Sequence, residues 1–152
     1  MKNLFEVTRK VVVVTGATGI LAGGTAKYLQ EQGAKVVYVG RNQKKVDAVM
    51  EEARKISDHC LGVTTDVLDE DGLNAGYEKV INQFGRVDAL INGAGGNMPG
   101  ATIGPDKEIF DLDIEDYSRV MDLNLKSPFF LIQKLLPLLE AGSKPDDPSR
   151  II

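Results

Sequence analysis

The residues best suited to chemistry lie between Val11 and Gly23, in the run Val-Val-Val-Val-Thr-Gly-Ala-Thr-Gly-Ile-Leu-Ala-Gly. A β-branched stretch ending at Thr15 reads as a buried strand. Gly16 and Gly19 permit the tight turn and close backbone approach that follow it. A helix opening near Gly19 would present free N–H groups and the positive end of its dipole, which suits a pyrophosphate. No Gly-Lys-Ser/Thr follows, so the loop is not a P-loop. The context predicts a dinucleotide site rather than a merely structural turn, because the glycines follow a strand, open a helix and sit in the first strand–helix unit.

A second position bears on the ribose end of such a ligand. The second β-branched run closes on Val39-Gly40-Arg41-Asn42. A carboxylate there would bond the ribose 2′-hydroxyl of NAD, whereas Gly40 leaves nothing to repel a 2′-phosphate and Arg41 can pair with one. NADP is therefore the expected cofactor, with NAD possible. The plainer alternative makes Arg41 a surface cation beside Asn42, a helix N-cap.

Four runs must hold these loops: Val11 to Thr15, Lys35 to Val39, Leu61 to Thr65 and Val87 to Ile91. Between them lie segments with helical spacing, such as Val46, Val49, Met50, Ala53 and Leu73, Tyr77, Val80, Ile81, Phe84. The alternation predicts an α/β fold: a Rossmann-type doubly wound parallel sheet with right-handed crossovers, of about four strands plus the start of a fifth at Arg150. The whole of 1–152 reads as one domain. Asn92 to Leu112 forms a long Gly- and Pro-bearing loop, of a length usually tied to function. Asp113 is the expected N-cap of a helix reaching Glu140, with Asp116 completing a capping box and Pro128 kinking it. Phe129, Phe130, Leu131, Ile132, Leu135, Leu136, Leu138 and Leu139 make its second half apolar around much of its circumference. One face should cover the sheet and another a second copy of the chain, so 113–140 is the expected homo-oligomer contact, against the alternative of one wide core stripe. The polar stretch Gly142 to Ser149 reads as a loop.

The chain has 152 residues, 43% hydrophobic and 26% charged, which fits one globular domain. Net charge is −4 with no basic stripe, which argues against nucleic-acid binding. The uncharged stretch Val11 to Ala26 carries four glycines and three threonines, so neither a membrane span nor a secretory signal is expected. Lone Cys60 permits no internal disulfide and points to the cytoplasm. Metal binding is not expected. His59 and Cys60 lack a second spaced ligand pair, and Asp111, Asp113, Glu115 and Asp116 lack the glycine of a calcium loop and suit a helix N-terminus.

With TGATGILAG, Thr64-Thr-Asp66-Val67, Asp88-Ala-Leu-Ile-Asn92-Gly-Ala-Gly95 and Met121-Asp-Leu-Asn124-Leu125, the chain resembles the short-chain dehydrogenase/reductase family over essentially its whole length. Gly95 to Thr102 and Phe110 to Asp113 are similar to the sugar-acid branch that includes fructuronate reductase (D-mannonate oxidoreductase). Ser127-Pro-Phe-Phe and Leu135-Leu-Pro-Leu-Leu are more like the 3-oxoacyl-reductase branches. The resemblance implies Gly16, Thr18, Gly19 and Ile20 on the pyrophosphate, Gly40 and Arg41 on the ribose end, and Asp66 with Val67 on the adenine. It also implies that Asn92, Gly93, Ala94 and Gly95 line the cofactor. Gly93 replaces a usual asparagine, and Ala22 replaces the fingerprint's third glycine.

The resemblance further implies that Asn124 supports a water behind a catalytic lysine; the alternative is a helix residue bonded to main chain. The family's serine and Tyr-x-x-x-Lys pair are absent: Tyr28, Tyr38, Tyr77 and Tyr117 are followed at the fourth position by Gln32, Asn42, Ile81 and Met121. The expectation is the cofactor-binding half of an oxidoreductase passing hydride between NADP(H) and a small carbonyl or alcohol substrate, a sugar acid or oxoacyl compound, truncated before its catalytic residues. The alternatives are a non-catalytic dinucleotide-binding or assembly module, and a fragment that folds only with its other half. A bare fourth strand would be an exposed apolar edge, which favours truncation or a partner strand.

Overall fold

The structure is a computed structural model, and it describes residues 5–152. Five strands, β1 (Val11–Thr15), β2 (Lys35–Gly40), β3 (Cys60–Thr64), β4 (Ala89–Ile91) and β5 (Arg150–Ile151), form one parallel sheet in the order β3-β2-β1-β4-β5. The chain winds outward from β1 to β3, then returns to β4 on the other side of β1. That reversal opens a crevice at the carboxyl ends of β1 and β4, where ligands of open α/β sheets bind.

The valine runs form strands because both faces of the sheet are covered. Val11, Val13, Val37 and Val39 point to one side, against Leu73 and Val80 of α3 (Glu70–Phe84) and Leu131, Leu135, Leu138 and Leu139 of α5 (Ser127–Gly142). Val12, Val14, Val36 and Tyr38 point to the other, against Ala26 of α1 (Ile20–Glu31) and Val46, Met50 and Ala53 of α2 (Gln43–Ile56). On the second side the phenol of Tyr38 donates to Gln30 Oε1 at 2.7 Å, and Gln30 Nε2 donates to the carbonyls of Ala53 and Ser57. Burial pushes the Tyr38 phenol up to about 12, with nearby Cys60 and Glu31 adding to the rise. This network ties α1, α2 and β2 together through satisfied buried polar groups.

β1 has the predicted bounds, β3 starts and ends one residue earlier, and β4 is shorter. Before β4, the Val87 N–H donates to the Leu138 carbonyl of α5 at 2.8 Å, so Val87 is engaged by helix rather than sheet. Gly142 makes this approach possible, since a Cβ there would run into the Val87 carbonyl oxygen. β5 covers the outer edge of β4 for two residues, with Ala89 opposite Arg150 and Leu90 opposite Ile151.

The expected helix from Asp113 to Glu140 forms, but a π-helical turn interrupts its α-helical ladder. α4 (Ile114–Met121) leads into a π-helical turn over Asp122–Lys126, and α5 follows and runs to Gly142. The break precedes the predicted kink. Ser127 N–H bonds the carbonyl of Asp122, five residues back, while the Ser127 hydroxyl takes the Leu123 carbonyl at 2.6 Å. Pro128, lacking an N–H, sits in the first turn of α5, where none is needed.

Candidate functional site

β1 delivers the glycine turn to the crevice. Gly16 has φ +67, and a Cβ on it would stand 2.5 Å from the Gly93 carbonyl oxygen and 2.9 Å from the Ala94 nitrogen. Gly19 is the N-cap of α1 and provides no side-chain cap, so the opening N–H groups of the helix are left for a ligand. Gly23 lets the helix close on the turn; a Cβ there would lie 2.7 Å from the Ala17 carbonyl oxygen. Gly16, Thr18, Gly19 and Ile20 thus share one turn, with Ile20 almost fully exposed at the mouth of the cradle.

At the end of β2, Thr18 lies over Gly40. A Cβ on Gly40 would stand 2.7 Å from Thr18 Cγ2 and 3.1 Å from Thr18 Oγ1 and from Val46 Cγ2. No side chain fits there without displacing Thr18. Asn42 is occupied as the N-cap of α2, accepting the Lys45 N–H at 3.1 Å. Arg41, between them, is exposed and makes no ion pair among the described residues. After β3, Asp66 is exposed and accepts the Leu68 N–H at 2.9 Å, while the Val67 side chain is buried in the core. Val67 therefore offers a ligand only its main chain.

The segment after β4 closes the crevice. The Thr15 hydroxyl accepts the Ala94 N–H at 3.0 Å, which ties β1 to the Gly93–Gly95 stretch. A Cβ on Gly93 would lie 2.6 Å from Ala22 Cβ and 2.6 Å from the Thr15 carbonyl oxygen. The two departures from the family pattern therefore meet: the Ala22 methyl fills space that a side chain at position 93 would need. Asn92 turns its carboxamide sideways. Its Nδ2 donates to the Ile152 carbonyl at 3.1 Å, and its Oδ1 is buried with no partner among the described residues.

Asn124, in the π-helical turn, reaches the same segment. Its Nδ2 donates to the carbonyls of Gly96 at 2.7 Å and Val120 at 2.8 Å, and its Oδ1 accepts the Gly96 N–H at 3.1 Å. This amide is spent on main chain, in line with the second of the two readings of Asn124.

The N-terminus of α4 corrects the expected capping box. Asp113 accepts the Asp116 N–H at 2.8 Å as predicted, but Asp116 does not return to Asp113. Its Oδ2 accepts the Gly100 N–H at 3.0 Å instead, and Asp113 N–H donates to the Gly100 carbonyl at 2.9 Å. A long-range partner has replaced the local one. Sequence reading missed this contact, for which Gly100 following Pro99 was the only local signal.

Among the described residues no cluster of three or more His, Cys, Asp or Glu could hold a metal ion, and no helix is long and apolar enough to cross a membrane. Burial pushes the Cys60 thiol up, away from the thiolate a metal would need.

Comparison with known proteins agrees with this geometry. The chain is 35% identical over 132 residues to the uncharacterized oxidoreductase UxuB of Bacillus subtilis (strain 168), covering 82% of this chain and 48% of that one. Its fold matches the RhlG/NADP active-site complex of Pseudomonas aeruginosa with a TM-score of 0.84 at 25% identity, over 99% of this chain and 56% of that one. It also matches a candidate D-mannonate oxidoreductase from Haemophilus influenza with bound NAD, with a TM-score of 0.76 at 27% identity, over 87% of this chain and 51% of that one. The chain thus spans about half the length of the relatives it matches. The profile described as short chain dehydrogenase matches residues 10–146, nearly the whole sequence, and this protein belongs to that family.

Proposed function

We propose that residues 1–152 form a single cytoplasmic dinucleotide-binding domain of an oxidoreductase that passes hydride between NADP(H) and a small carbonyl or alcohol substrate, a sugar acid or an oxoacyl compound. The observation that carries the NADP reading is Gly40, shut beneath Thr18, with the exposed Arg41 beside it making no ion pair among the described residues. An acid that would select the ribose 2′-hydroxyl of NAD would collide with Thr18 at position 40, and the exposed Arg41 next to it would pair with a 2′-phosphate. Gly16, Thr18, Gly19 and Ile20 would hold the pyrophosphate on the N-terminus of α1. Asp66 with the Val67 main chain would receive the adenine, and Gly93, Ala94 and Gly95 would flank the opposite end, with Asn92 bracing β4 against β5. Bound there, the cofactor supplies the hydride. Asn124 acts by holding Gly96 in place. The RhlG complex holds NADP and the D-mannonate oxidoreductase relative holds NAD, so both nucleotides belong in the test.

Calorimetric titration with each nucleotide checks the reading, with NADPH expected to bind about tenfold more tightly than NADH, the discrimination of one charge-assisted contact. Failure to bind either would refute it. A second reading, a dinucleotide-binding module without turnover, is favoured by the Asn124 amide, which is spent on the main chain of Gly96 and Val120. Oxidation of bound NADPH by a sugar-acid or oxoacyl carbonyl compound would exclude that alternative.

The partner proposed for the outer face of α4 and α5 is a second copy of the chain. Ile114, Tyr117, Met121, Leu125, Phe129 and Leu136 are all exposed at spacings of three, four or seven residues, in one apolar stripe that crosses the π-helical turn. A two-fold axis would lay this stripe on itself. Sedimentation at tens of micromolar should show a dimer for the wild type and a monomer for Leu125→Glu; a monomeric wild type would defeat the proposal.

A further inference from the structure

We propose that Asp116 is a positioning residue for the nicotinamide end of the dinucleotide, acting through the strap Gly96–Gly100. The inference rests on the NADP(H) reading above. In that reading the ligand starts at Gly40 on β2 and crosses the glycine turn after β1. A molecule laid along that line has its other end over β4, which flanks β1 on the opposite side from β2. The strap leaves the crevice from that point, since Gly93 and Ala94 stand directly against Gly16.

The strap is fixed at both ends by side chains from one helical arm. At its start, Asn124 holds both the N–H and the carbonyl of Gly96. At its end, Asp116 takes the Gly100 N–H and Asp113 N–H gives to the Gly100 carbonyl. A side chain at position 100 would run into the Asp116 carboxylate and lie 3.0 Å from Asp113 Cβ, so the fit requires glycine.

An acid at the third position of a helix ordinarily serves its own cap. Here the Asp113 N–H is already used by Gly100, and Asp116 reaches across the loop instead. Arg119 Nη1 stands 3.5 Å from its other oxygen and helps hold the carboxylate in that direction. Asp116 touches neither reacting atoms nor cofactor in this assignment. It limits where Asn97, Met98 and Pro99 can lie, and so shapes the wall of the crevice over β4.

The test compares two probes on the folded chain. NADPH spans the whole crevice, whereas 2′,5′-ADP occupies only the adenosine end near Arg41. Asp116→Ala is expected to weaken NADPH binding about tenfold, the loss of one charge-assisted hydrogen bond, while leaving 2′,5′-ADP binding unchanged. Amide hydrogen exchange in residues 95–101 should accelerate in parallel. Asp116→Asn should restore both, because its amide oxygen still accepts the Gly100 N–H.

Gly100→Ala, which breaks the same contact from the other side, should reproduce the Asp116→Ala pattern and serves if that variant does not fold. Equal weakening of both probes would mark Asp116 as a general stability contact and overturn the proposal. Unchanged NADPH affinity with wild-type exchange rates would overturn it too. A wild type that binds neither probe would instead refute the NADP(H) reading, and this inference with it.

Discussion

Gly16→Ala is expected to abolish tight NADPH binding, with an affinity loss of about 100-fold, and to lower stability by about 2–4 kcal/mol. Two costs add. The residue sits at φ +67, where an L side chain is strained by about 1–2 kcal/mol. The new methyl would also stand 2.5 Å from the Gly93 carbonyl oxygen and 2.9 Å from the Ala94 nitrogen. Both atoms are main chain, so neither can swing away as a flexible side chain would. Relief requires the turn or the segment after β4 to move, and these are the two walls between which the pyrophosphate would lie. Thermal unfolding should fall by roughly 5–12 °C for a chain of this size. Gly24→Ala is the control: its Cβ enters open space on the same helix, and NADPH affinity should not change. A Gly16→Ala protein that binds NADPH within threefold of the wild type would remove the glycine turn from the site.

Arg41→Ala should weaken NADPH binding by roughly 10- to 100-fold, the range expected for losing a charge-assisted contact of about 1.5–3 kcal/mol, and leave NADH within twofold. The difference arises because the two nucleotides share every contact except the 2′-phosphate. Arg41 is exposed, so the gap should narrow as ionic strength rises and screening weakens the pair. Titrations of both nucleotides at two salt concentrations read this directly. Equal losses for both would mean that Arg41 supports the loop rather than the phosphate, and the NADP preference would have to be withdrawn.

The parts of the fold that could be read from the chain are those set by neighbouring residues. Val11 to Thr15 is continuous and β-branched, and β1 has the same bounds. Asn42 and Asp113 cap their helices because an Asn or Asp side chain needs only the N–H three residues on. What could not be read depends on partners distant in sequence. Asp116 prefers Gly100, 16 residues away, to its own cap. Val87 carries the composition of a strand but is held by Leu138 of α5. The π-helical turn is accompanied by a serine hydroxyl on the Leu123 carbonyl and a proline next to it, and a helical periodicity scan registers neither.

The site divides in the same way. The glycine turn at Gly16 and Gly19 and the Gly40-Arg41 step after β2 are candidates legible from the chain, because a turn between a strand and a helix is a local device, whereas Thr18 and Ile20 enter only through the resemblance. That Thr18 sits on Gly40 depends on β1 and β2 lying side by side, and no spacing in the sequence expresses it. Asn92 and Asn124 were found by resemblance. Their amides turn out to serve main chain, one at Ile152 and the other at Gly96.

The meeting of Ala22 and Gly93 also constrains how this chain can change over generations. The two positions share one methyl-sized space, so they are not free to drift separately. Replacing Ala22 by glycine first leaves a small hole, which costs about 1 kcal/mol and is survivable. Enlarging Gly93 first drives a side chain into both the Ala22 methyl and the Thr15 carbonyl, the more damaging step. Even with glycine at position 22, a Cβ at position 93 would still stand 2.6 Å from the Thr15 carbonyl oxygen, so the asparagine of the family pattern also requires the end of β1 to shift. Trimming Ala22 is the milder first step, but it does not by itself open position 93 to a side chain.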